Sequence, residues 1–191
     1  MRRKFSRLSD SMKIDPSERE SRAMSLFRDG YNCAQSVALA FSDVLQECSG
    51  VTEGQIAAFS GGFGGGFGRL REVCGCVSGM TFVAGALKPS PAAPGCHGVS
   101  SEAPTEALEA RKATYALVQS LAESFRTENG SIVCRDLLGL KAAHKDGPLP
   151  SGRTPEYYKA RPCERLVGSA ARILAGQLLL VQSCGDGMEN K

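Results

Sequence analysis

The period of its apolar residues most limits what this chain can fold into. In CAQSVALAFSDVLQEC they fall at Cys33, Val37, Ala40, Phe41, Val44, Leu45 and Cys48, steps of three and four that place one stripe along a helix. The same spacing recurs at Val73, Val77, Met80, Ala84 and Leu87, and at Leu108, Thr114, Leu117, Val118, Leu121 and Phe125. Near the carboxyl end it returns at Cys163, Leu166, Val167, Ala170, Leu174, Leu178 and Val181. No segment alternates apolar and polar residues over strand length, so a half-buried sheet face has nothing to build it. The expectation is an all-α fold, a compact bundle of four to five main helices.

Local signals divide the bundle. Asp15 and Pro16 read as an N-cap and a first helical residue, with Gly30 as the stop. Asn32 opens one helix from Cys33 to about Cys48, ending near Gly50. Thr52 and Gln55 form a capping box for a short helix running into the glycines. Further helices are expected over about Leu70–Leu87, Thr105–Glu128, a short stretch between Ser131 and Gly139, and from Pro162 onward. The stretches 88–104 and 140–160 hold proline, glycine and polar residues and read as loops. The expected organisation is a disordered tail over 1–15, one helical domain over 16–184 and a tail over 185–191, with no internal repeat.

Composition removes several function classes. The net charge of +3 is mild, and much of it lies in the opening MRRKFSR, which reads as a solvated tail. Aromatic residues make up 6% and tryptophan is absent, a poor basis for stacking on nucleic acid. No stretch approaches the ~20 apolar residues that cross a bilayer. A cytoplasmic protein with neither nucleic-acid nor membrane partners is expected. Its eight cysteines then point to metal binding or thiol chemistry.

The stretch GGFGGGFGRLREVCGCVSG, residues 61–79, is not a nucleotide cradle. No register supplies the three spaced glycines of the dinucleotide fingerprint, no strand precedes it, and no lysine follows its last glycine as a P-loop requires. What remains is a backbone role: left-handed turns, and a close helix crossing over Gly75 and Gly79, which share a helical face. A loop that turns its N–H groups toward a cysteine cluster is the second reading.

Position sorts the cysteines. Cys33, Cys74, Cys134 and Cys163 each stand at or near a helix start, where unpaired N–H groups favour thiolate. Cys48 and Cys184 stand at helix ends, and Cys96 lies beside His97 in a loop. Cys76 lies roughly 200° around the helix from Cys74 if that helix begins at Leu70, so their sulfurs would point apart; a later start would let them pair. Arg69, Arg71 and Glu72 flank Cys74, either as a salt-bridged surface or as a charge acting on its thiol. His144 falls in a predicted loop. A buried, inert cysteine is the ordinary alternative at every one of these positions.

GYNCAQSV (30–37), FGGGFGRLREVCGCVSG (63–79), Cys134 beside RDLLG and Cys163 ahead of LV together resemble the C_GCAxxG_C_C family, which is labelled redox-active. The likeness runs from about Arg22 to Leu180. It implies that Cys33, Cys74, Cys134 and Cys163 are the working residues, whether as redox thiols or as metal ligands. The family's C-G-A-x-x-G falls on residues 74–79, with Cys76 in place of the usual alanine. Gly66, Gly68, Gly75 and Cys76 are the positions expected beside a bound group. Three functions stay open: an iron–sulfur cluster or zinc on the four thiols, metal-free thiol–disulfide chemistry, or a helical interaction module with inert cysteines. No acid–base constellation marks the chain as an enzyme beyond oxidoreductase or electron-transfer chemistry. The redox partner is unspecified, and self-association is left open.

Overall fold

Capping chemistry sets the first boundaries as expected. Asp15 accepts from the N–H of Ser17 at 2.8 Å and opens α1, Pro16–Arg28. Asn32 and Gln35 form a reciprocal capping box at the start of α2, Cys33–Leu39. Thr52 and Gln55 do the same for α4, Glu53–Ser60. The computed structural model describes residues 14–87 and 105–186, with side chains for all of these except 105–107 and 180–186. Expectations for most of the amino-terminal tail, for the 88–104 loop with Cys96 and His97, for the last residues and for the Cys184 side chain lie outside the described residues.

The remaining elements are α3 (Ser42–Ser49), a 3-10 turn (Gly61–Phe63), α5 (Gly75–Leu87), α6 (Thr105–Asn129), α7 (Cys134–Leu137), α8 (Pro155–Ala160) and α9 (Cys163–Asp186). Among the described residues there is no strand, only one isolated bridge between Val73 and Val133, so the fold is all-α. The long α1 lies along α9, α2 along α5, and α6 against α5 and α9. Phe27, Val37, Phe41, Met80, Phe125 and Leu174 are fully buried where these helices meet, removing from water the apolar area that drives the collapse. No helix among the described residues is long and apolar enough to cross a membrane.

Four expectations change. The helix from Cys33 to Cys48 is two helices, because Phe41 takes φ −117° and ψ 22°. The carbonyl of Ala40 at that break accepts from Nη1 of the buried Arg19 at 2.7 Å, and Arg19 also grips Asp43 through two bonds of 2.6 and 2.7 Å. The helix expected from Leu70 starts at Gly75, leaving Leu70 exposed and Val73 at the surface. The 140–160 loop contains α8, opened by Thr154 accepting from Tyr157 N–H and by Pro155 at its first position. On α6 the inward face holds at Leu117, Leu121 and Phe125, but Leu108 is 54% exposed.

Gly75 and Gly79 do admit a helix, and the helix is α2. A Cβ on Gly79 would stand 2.8 Å from Cβ of Val37 and 2.9 Å from the carbonyl oxygen of Ala34. A Gly79→Ala substitution is therefore expected to cost about 1–3 kcal/mol through overpacking. Gly85→Ala, in the same helix with nothing within 4 Å of its added carbon, is expected to be neutral or stabilising by up to about 1 kcal/mol. Urea titration of both variants checks the contrast.

Candidate functional site

Three backbone devices bring cysteines from separate stretches of chain together. In the first, a Cβ on Gly75 would meet Cβ of Cys33 at 3.1 Å, as one on Gly79 would meet Val37. Residues four apart on α5 thus face residues four apart on α2, so the two helices run in the same direction with their starts side by side. Cys33 is the first residue of α2, and Cys74 immediately precedes α5, its carbonyl accepting from Ser78 N–H at 3.1 Å.

The second device joins residues 71–74 to 132–135. Cys74 N–H donates to Ile132 at 2.8 Å, Cys134 N–H to Glu72 at 2.6 Å, and Arg135 N–H to Arg71 at 3.1 Å. Gly66 completes this junction. Its φ of +72° suits glycine, and an added Cβ would lie 2.8 Å from Cβ of Cys134. Third, α9 packs on α1, α2 and α5 and delivers Cys163, its first residue.

Cys33, Cys74, Cys134 and Cys163 are brought together, and Cys76 joins them. The Cys33 thiol interacts with those of Cys163 and Cys76, and the Cys76 thiol also with that of Cys74. The expectation that Cys74 and Cys76 point apart fails because the helix starts after Cys74 and not at Leu70. Cys76 is fully buried, and Cys74, Cys134 and Cys163 are at most 9% exposed, whereas Cys33 is half-buried. Cys48 stands apart at the end of α3, its thiol pushed up by burial and by Glu47.

At Gly68 an added Cβ would meet nothing within 4 Å, no cysteine included. The loop's N–H groups from Phe67 to Glu72 all bond to carbonyls of residues 62–67, so they turn back into the loop. Phe67, Arg69 and Arg71 have φ of 57°, 72° and 62°, each a conformation costing an L-residue of order 1 kcal/mol. Ion pairs help to hold it. Arg69 Nη2 lies 2.7 Å and Arg71 Nε 2.5 Å from the two oxygens of Asp146.

Electrostatics single out one sulfur. Hydrogen bonds from Cys163 and then Cys76 hold the Cys33 thiol well below the ordinary range, against the opposing effect of burial and with help from the charge of Arg153. The donors shift the other way. Cys163 is pushed far up by its bond to Cys33 and by burial, and Cys76 by its bonds to Cys33 and Cys74 and by burial. Burial, with the charge at Cys74, pushes Cys134 up to about 11 although Arg71 pulls it down. The lowered thiol of Cys33 thus stands against the raised thiols of Cys76, Cys134 and Cys163. Of the arginines flanking Cys74, it is Arg71 that reaches a thiol, and the thiol is Cys134, with Nη1 at 3.9 Å from its sulfur.

The mouth of the site comes from the stretch read as a loop. Arg153 donates to the carbonyls of Phe27 and Tyr31, and Tyr157 of α8 is within electrostatic reach of Cys163 and Cys33. Neither was expected from sequence; the Thr154-Pro155 start signal was present, but a six-residue helix shows no periodicity. His144 pairs through Nε2 with Asp146 at 3.1 Å and faces no sulfur in that pairing.

The model of the family described as "Putative redox-active protein (C_GCAxxG_C_C)" matches residues 31–176, most of the chain. The chain belongs to this family. No curated protein and no solved structure matches it. The C_GCAxxG_C_C match spans all five clustered cysteines together with Arg153 and Tyr157. As they lie, no three Cys, His, Asp or Glu side chains among the described residues are placed to hold a metal ion. Cys33, Cys74, Cys134 and Cys163 would have to draw closer to do so.

Asp146 links the strained loop to the 140–148 segment. Its carboxyl is held down at about 2, first by the hydrogen bond from Arg71, with burial opposing and His144 and Arg69 assisting. A depressed carboxyl stabilises the fold above its ordinary value and loses that contribution as pH falls. On the order of 2 kcal/mol is therefore expected to disappear between pH 3.8 and about 2. In urea midpoints measured across that window, Asp146→Asn should start lower and fall less steeply than the unsubstituted protein; parallel curves would contradict the assignment.

Proposed function

We propose that this chain is a thiol–disulfide redox protein in which Cys33 attacks and Cys163 resolves. The observation that carries the reading is the half-buried Cys33, its thiol held low by a hydrogen bond from Cys163. A thiolate is the nucleophile of disulfide exchange, and exchange needs a second thiol within reach. Both are present in one pair. Cys33 sulfur attacks a disulfide RS–SR, forming a mixed disulfide and releasing one RS⁻. Cys163, giving up its proton to solvent, then attacks the Cys33 sulfur and expels the second RS⁻. Two electrons pass from the protein to the disulfide, and a Cys33–Cys163 bond remains for an external dithiol to reduce. The six described cysteine side chains are free, the state that a reducing compartment such as the cytoplasm maintains.

A second reading is a redox-active metal or iron–sulfur centre on Cys33, Cys74, Cys134 and Cys163. Cys163 lies within electrostatic reach of the other three, which favours a shared function for all four. Such a group would supply one-electron transfer. Inert packing of the cysteines leaves a low-lying thiol at Cys33 without a role.

Ellman's disulfide separates these readings in protein carrying Cys48→Ser, Cys96→Ser and Cys184→Ser. The paired thiols should release two equivalents of thionitrobenzoate in a fast phase, Cys163→Ser combined with Cys76→Ala should retain one on Cys33, and Cys33→Ser should lose the fast phase. A fast phase that survives Cys33→Ser contradicts the proposal. Stoichiometric iron with visible charge-transfer bands in anaerobically purified protein would favour the second reading.

A further inference from the structure

Most arginines in the described part of this chain pair with carboxylates, as Arg19 does with Asp43, Arg71 with Asp146 and Arg135 with Glu72. Two beside Cys33 and Cys163 do not. Arg153 spends its guanidinium on the carbonyls of Phe27 and Tyr31 at 3.0 and 3.1 Å. Its charge is fixed there by the Phe27 ring at 4.5 Å and the Tyr157 ring at 5.4 Å. Arg161 stacks on Tyr157 at 4.8 Å and has no ion pair among the described residues. Tyr157 lies within electrostatic reach of Cys163, Arg153, Cys33 and Arg161 together. The neighbouring carboxylates do not neutralise this corner: Glu164 turns to Arg28 at 3.5 Å, and Glu156 is fully exposed in the first turn of α8.

An unpaired guanidinium stacked on an aromatic ring keeps its fork of donors open to a planar anion. Both arginines and Tyr157 are half-buried, as is Cys33, and Tyr157 ties both guanidinium groups to the surroundings of the sulfur. A half-buried sulfur is reached more readily by a slender molecule than by the surface of a folded partner.

We propose that Arg153 and Arg161 form an anion-recognising mouth over Cys33, and that the disulfide reduced there is a small one bearing carboxylates. The inference rests on the thiol–disulfide reading above. It runs against what the sulfur alone would select, since a bare thiolate repels an anionic disulfide and attracts a cationic one. Arg161 supplies the open fork for one carboxylate. Arg153, whose two Nη atoms already donate to the Phe27 and Tyr31 carbonyls, contributes chiefly its charge. Exchange then proceeds as above, with the carboxylate-bearing thiols released as the two-electron product.

Three probes of graded charge test this: dithiodipropionate, hydroxyethyl disulfide and cystamine. The full chain carries Cys48→Ser, Cys76→Ala, Cys96→Ser, Cys163→Ser and Cys184→Ser, so that each mixed disulfide stays on Cys33 and is counted by mass spectrometry. Each rate is divided by that of the same probe with a free small thiol. At low salt the dicarboxylate is expected to exceed the diamine on the order of tenfold, with the gap closing as salt rises. Arg161→Gln, which removes no side-chain hydrogen bond among the described residues, should shrink the gap several-fold, and Arg161→Lys should restore part of it. An equal or faster rate for cystamine, or a gap unmoved by Arg161→Gln, overturns the anion mouth while leaving the redox reading intact. No labelling of Cys33 by any of the three overturns both.

Discussion

The close crossing of α2 on α5 is the contact on which the site depends. Without side chains at Gly75 and Gly79, Cβ of Cys33 and of Val37 approach where a carbon would otherwise stand, at 3.1 and 2.8 Å. Because the two contacts are in register, both helices begin at the same level of the bundle, and residues near those beginnings share one corner. The backbone exchange between 71–74 and 132–135 and the arrival of α9 then need only add Cys134 and Cys163 to a corner already formed. Small residues here do more than permit packing; they decide which side chains can meet.

Chemistry follows from crowding thiols in one place. A single negative charge can be shared among several sulfurs through S–H donors, but a second charge is opposed by the first. Cys33 receives that charge because two thiols donate to it, and Arg153 stands on its side of the cluster. Cys134, on the far side, has its own arginine, yet Arg71 is committed to Asp146 and burial keeps that thiol protonated. The two arginine-flanked ends are therefore unlike: one presents a half-buried nucleophile, the other a buried thiol strapped under an ion-paired loop.

Much of this was legible in the sequence, for reasons that can be named. Helix periodicity and caps such as Asn32 and Thr52 are local signals, and the structure follows them. The four helix-start cysteines were separable because N-terminal position is also local. What escaped reading depends on tertiary partners. The break at Phe41 is met by Arg19, a charged residue that sequence alone places at the surface but that is 2% exposed. The late start of α5 reflects backbone bonds to residues 132–135, some sixty positions away. Arg153, Tyr157 and Asp146 came from a stretch with no periodicity, and their roles exist only through what they touch. The place of Cys76 turned on where one helix begins, which the glycine-rich approach did not mark.

The most direct test is crystallographic: sulfur anomalous scattering from crystals of the reduced protein, which locates each cysteine sulfur independently of the chain trace. The account predicts the Cys33 sulfur in hydrogen-bonding contact with those of Cys163 and Cys76, with Cys74 and Cys134 bordering the same corner. Sulfur peaks dispersed through the bundle, with Cys33 out of reach of Cys163, would contradict it.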